Sequence, residues 1–229
     1  MSNQFTIQSY ILCELGLLKS YIELMEGVIS EHHERLGQSY DDFLKKSDQE
    51  YSVCENDYES ECIRLFGDWI LDDQHAFYCA TQHMRCGMLV SIMALVERWL
   101  ADICKYLEEI YKFDISADDL KGNDYGSQIK YLTKVAKLNL DEDCLKKYKA
   151  YKIVRNYFAH DYANYFAKQL SKDKLKKLEN AASCVTKVEV TNDEVWLTDG
   201  FCEEVICQIT KFVENVYSAV KGMKTIKAL

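Results

Sequence analysis

No proline occurs anywhere in this chain of 229 residues. Proline removes a backbone donor and clashes with the preceding turn, so a chain without it carries no such stop inside any helix. Long helices are therefore expected wherever apolar residues recur at spacings of three and four. Leu12, Leu15, Leu18, Ile22, Met25 and Ile29 predict a helix over about 5–34. Gly37-Gln38-Ser39, followed by Asp41 and Asp42, reads as a break and a new helix start. A more polar, acidic helix over about 40–70 follows, with Phe43, Tyr51, Cys54, Tyr58, Cys62, Leu65 and Trp69 as a weak stripe.

The most regular stripe is Leu89, Ile92, Val96, Leu100, Ile103, Leu107 and Ile110, which predicts a central helix over about 75–112. Lys121-Gly122-Asn123-Asp124 reads as a loop, a short helix lies around 126–137, and Asn139 with Asp141 marks another break. Asp141 then caps a helix over about 142–166. Its apolar line is Cys144, Tyr148, Tyr151, Val154 and Phe158, and Ile153 and Tyr157 give it a second apolar flank, so burial on more than one side is expected. A short basic helix follows over Lys172–Leu178. Residues 185–198 then alternate with period two around Thr191-Asn192-Asp193, the pattern of a β-hairpin. A final amphipathic helix, about 201–222, carries Phe201, Val205, Ile209, Phe212, Val216 and Val220. The expected fold class is all-α: a helical bundle with an N-terminal helical hairpin over 1–70, a main helical domain over 75–222 and one small β-hairpin near 185–198.

Composition narrows the setting. The chain is 48% hydrophobic and 28% charged, enough apolar material for a sizeable core and too much for a disordered segment. It has ten cysteines but no CxxC, and the closest pair is Cys202 and Cys207, which argues against a zinc knuckle. Met1-Ser2-Asn3-Gln4 lacks the basic start of a signal peptide, so reduced thiols in a cytoplasmic protein are expected. No apolar run is long enough to span a bilayer. Net charge is −9, which argues against a general nucleic-acid coat. Residues 121–187, however, hold 15 Lys and Arg against 7 Asp and Glu, a surplus of eight. A basic segment inside an acidic chain is either a local anion site or a solvated lysine-rich face.

Within that segment Arg155-Asn156-Tyr157-Phe158-Ala159-His160-Asp161-Tyr162 places a guanidinium, an amide and an imidazole within two helical turns. Asn156 and His160 are four apart and share a helix face. Arg155 and His160 are five apart, about 140° on a straight α-helix, and converge only if the helix ends or bends or if a second subunit completes the site. These residue types suit attack of a ribose 2′-hydroxyl on its own phosphate. An imidazole can take the hydroxyl proton near neutral pH, and a guanidinium can neutralise the phosphorane with paired donors. Asn156 can hold the imidazole or a phosphate oxygen, and no metal or other cofactor is required. A purely structural arrangement is the competing outcome: Arg155 paired with Glu97 or Asp161, and His160 closing the helix C-terminus.

The same run resembles the R-x4-6-H signature of the HEPN superfamily. It also resembles the R-x4-H-x-Y form of HEPN toxins that are paired with nucleotidyltransferase antitoxins. From composition alone, the pair with its Asn and Tyr is expected only about 0.0003 times in such a chain. The resemblance implies a helical bundle over 75–222 acting as a homodimer, with two motifs facing one cleft. It also implies a metal-independent ribonuclease serving as a toxin or in antiphage defence, or else a non-catalytic HEPN-like module that binds nucleotide or protein. Arg155, His160 and Asn156 would be catalytic. Tyr162 would position RNA or receive a nucleotide from an antitoxin. Glu97 matches the acidic residue that some members carry in the preceding long helix. Lys146, Lys147, Lys149 and Lys152 would contact the RNA backbone. His32 and His33, and His75 with His83, lack further ligands at metal spacing.

Overall fold

The computed structural model describes residues 2–51, 57–120, 124–161, 171–191 and 194–227. The chain is a helical bundle with one small β-hairpin. In order, the elements are α1 (Ser2–Tyr51), α2 (Asp57–Tyr111), α3 (Asp124–Lys130), a π turn (Tyr131–Val135), α4 (Glu142–Asn156), a second π turn (Tyr157–Asp161), α5 (Lys172–Ala182), β1 (Val188–Thr191), β2 (Glu194–Leu197) and α6 (Phe201–Lys227). The strands pair antiparallel, with Val188 opposite Leu197 and Val190 opposite Val195. No described helix is long and apolar enough to cross a membrane.

Two sequence expectations give way to longer helices. The break at Gly37-Gln38-Ser39 does not form: α1 runs through it to Tyr51. A helical glycine costs about 1 kcal/mol against alanine, which does not by itself stop a helix where no proline intervenes. The expected junction between residues 70 and 75 lies inside α2, which is continuous from Asp57 to Tyr111. Ile11, Leu15 and Ile22 of α1 are buried in the same core as Leu89, Ile92 and Val96 of α2 and Phe212, Val213 and Val216 of α6.

The helix carrying the motif is fixed at both ends. At its start the Asp141 side chain accepts from the Cys144 N–H at 2.8 Å. These backbone and side-chain bonds hold the Asp141 carboxyl below its ordinary range. The Asp141 N–H in turn donates to Asn215 Oδ1 of α6 at 3.0 Å. Further along, the ring of Tyr148 stacks on Phe212 with centroids 4.5 Å apart, and the Tyr151 hydroxyl donates to Glu204 at 3.0 Å. Burial, followed by the Glu204 charge, raises the Tyr151 pKa well above that of a free phenol. Expected helical to about 166, the segment leaves α geometry after Asn156, where the Tyr157 N–H is shared between the carbonyls of Ile153 and Val154. The wider i→i+5 turn that follows lowers the angular step between residues. The adjacent rings of Tyr157 and Phe158 can therefore both reach the core, edge to face at 5.0 Å.

Candidate functional site

Arg155 sits in the last turn of α4, and only 9% of it is exposed. Its Nη2 donates to Oε1 of Glu97 on α2, a carboxylate that is itself 5% exposed. Their neighbours along the two helices, Met93, Val96 and Leu100 on α2 and Tyr151 and Val154 on α4, are all buried. Two buried opposite charges support one another, because each offsets the cost of taking the other out of water. Of the two partners the sequence left open, Glu97 takes the guanidinium. The side chain of Asp161, the other candidate, lies outside the described residues, as does Tyr162 altogether.

His160 is exposed on the π turn, and Asn156 is half-buried one turn before it. The smaller angular step of the i→i+5 winding turns His160 towards the Arg155 side, while Asn156 and His160, four apart, still share a face. The four lysines do not behave alike. Lys146 and Lys149 are exposed and Lys152 is half-buried. Lys147 donates to Asp143 at 2.7 Å, a bond that raises its pKa and already matches its charge. Among the described residues no group of three or more His, Cys, Asp or Glu side chains is placed to hold a metal ion.

A second buried polar cluster escaped the sequence reading. Arg85 of α2 is 3% exposed. Its Nε donates to Glu26 Oε1 at 2.9 Å and its Nη2 to Glu26 Oε2 at 2.7 Å. Nη2 also reaches Asp199 Oδ1 at 2.7 Å, and Nη1 donates to the Leu197 carbonyl at 3.0 Å. Burial alone would lower the Arg85 pKa, but its hydrogen bonds to Glu26 and Asp199 outweigh that and raise it. One turn earlier, Gln82 donates to the Leu197 carbonyl and accepts from the Leu197 N–H, both at 2.9 Å, pairing with the end of β2 as a neighbouring strand would. The signal was present: Gln82 and Arg85 continue the core line Leu89, Ile92, Val96 backwards at the same spacing, so two polar residues stood on a buried stripe.

Searches against protein-family models, curated proteins and solved structures found nothing that matches this chain.

Proposed function

We propose that this chain is a metal-independent endoribonuclease of the HEPN type, acting on RNA as a homodimer. One observation carries the reading: Glu97 from the long helix meets Arg155 at the foot of a π turn that presents His160 to solvent five residues on. Glu97 fixes the guanidinium, and the widened turn brings the imidazole towards its side of the helix. In the cleavage step the His160 imidazole takes the ribose 2′-hydroxyl proton. The freed oxygen attacks the adjacent phosphorus, the P–O5′ bond breaks, and the departing 5′-oxygen takes a proton from the imidazolium of the second copy's motif. The products are a 2′,3′-cyclic phosphate and a 5′-hydroxyl, and Arg155 offsets charge on the phosphorane. Asn156 orients the imidazole, and Lys146 and Lys149 contact the backbone. Tyr162 would position RNA or accept a nucleotide from a nucleotidyltransferase antitoxin. That would suit a cytoplasmic toxin or antiphage effector.

A second reading rests on the burial of Arg155 and the neutralisation of its charge by Glu97. On that reading the chain is a non-catalytic HEPN-like module that binds nucleotide or protein. The discriminating experiment is RNA cleavage in EDTA by the wild type and by His160→Ala. The nuclease reading expects cyclic-phosphate products and a loss of about 10²-fold or more in the variant. Cleavage should also fall steeply as salt rises. Equal activity of the two proteins would remove His160 from the chemistry. Nucleotide binding without any cleavage by the wild type would favour the second reading.

A further inference from the structure

A cleft of about 700 Å³ opens between α1, α2 and the turn from β2 into α6, with Glu26, Phe77, Tyr78, Thr81, Arg85 and Asp199 among its walls. That volume is in the range of small-molecule sites, and the cleft shares no residue with the Arg155–Glu97 pair. We propose that it binds a small organic cation: an ammonium or guanidinium head carried on an apolar or aromatic body.

The charge of the walls decides the sign of the ligand. Arg85 alone would mark an anion site, but Glu26 holds two of its nitrogens, and Asp199 and the Leu197 carbonyl take further donors. Counting carboxylates and guanidinium alone, two carboxylates surround one guanidinium and one negative charge is in excess; the imidazoles of His33 and His75 also line the cleft. Asp199 accepts from Arg85 at Oδ1 while its side chain stays 96% exposed at the mouth. A cation is the ligand that balances this arrangement, whereas an anion would meet the excess carboxylate.

An unpartnered buried group points the same way. Thr81 is 4% exposed, lines the cleft, and its hydroxyl oxygen has no hydrogen-bond partner among the described residues. Buried hydroxyls are ordinarily bonded, and an N–H from a bound cation supplies what this one lacks. Phe77 and Tyr78 add aromatic faces, and Trp196 packs against Tyr78 with centroids 5.2 Å apart. Such faces attract cations through their quadrupole. Negative charge extends beyond the cleft: after burial, Glu189 is the next cause of the raised Tyr78 pKa, with Asp199 also contributing. Ile29, Leu36 and Leu71 complete an apolar wall for the body of the ligand.

The test uses three probes of one shape and different charge: benzamidine, benzamide and benzoate. Each is titrated into the full chain, with tryptophan fluorescence and ligand-observed NMR as readouts. Benzamidine should bind at least about tenfold more tightly than the other two. Asp199→Asn and Thr81→Val should each weaken benzamidine several-fold while circular dichroism is unchanged. Asp114→Asn, an equal charge loss at an exposed position outside the cleft, should leave binding as it was. The near-isosteric Thr81 variant keeps the test decisive should loss of the Asp199–Arg85 contact loosen the turn. Equal binding of benzamide and benzamidine, preference for benzoate, absence of benzamidine binding, or indifference to both cleft variants would each overturn the assignment.

Discussion

Replacing Glu97 by leucine isolates the buried pair on which the candidate site stands. In the folded chain the side chains of Arg155 and Glu97 are 11% and 6% exposed, so water screens neither. Glu97→Leu takes that carboxylate away from a buried guanidinium. Breaking a buried pair from one side costs about 3–5 kcal/mol, against up to about 1 kcal/mol for exposed pairs. For a chain of this size that corresponds to a drop in Tm of about 6–20 °C. Arg155→Met should cost a similar amount, since it takes the guanidinium away from a buried carboxylate instead. The double variant Glu97→Leu/Arg155→Met replaces both charges with apolar groups and should recover most of the loss. Urea denaturation of the four proteins closes the cycle, with a coupling well above 1 kcal/mol expected. Single variants that each lose less than about 1 kcal/mol, or a double variant as unstable as the sum of the singles, would refute the claim that the two charges depend on one another.

Gln82→Leu removes both bonds to the Leu197 backbone and strands its N–H, while the carbonyl keeps its bond from Arg85. A loss of about 2–3 kcal/mol is expected, with faster hydrogen exchange at the Leu197 amide. Burial pushes the thiols of Cys86, Cys104 and Cys202 up from 9.0 to about 12. Native protein alkylated at pH 8 should therefore be labelled at exposed Cys13 and Cys207 well before those three, as mass spectrometry of the digest would show. Because their folded pKa is raised, the three thiols contribute stability that is complete below pH 9 and fades as pH rises towards 12. Urea midpoints that rise across that interval would contradict this.

Most helices could be read from the sequence because an apolar stripe is a local pattern. The regular spacing from Leu89 to Leu107 specifies a helix whatever it packs against, as does the Asp141 cap with its bond three residues on. The strand pair was legible for the same reason, through alternation; Asn192 and Asp193 of the expected turn lie outside the described residues. Breaks were read less well. Gly37-Gln38-Ser39 has turn-like composition, but composition alone does not stop a helix that carries no proline.

The sequence by itself determined an all-helical chain with one hairpin, and it singled out Arg155, Asn156 and His160 as residues with chemistry to offer. Only the tertiary structure decided what surrounds them. Arg155 meets Glu97 across 58 residues, and Arg85 meets Glu26 across 59 and Leu197 across 112. No local period encodes such distances. The π turn that shifts His160 towards the Arg155 side also accompanies the burial of both Tyr157 and Phe158. Side-chain periodicity fixes which face of a helix is apolar, but packing between helices fixes which buried charges meet and where the winding must widen.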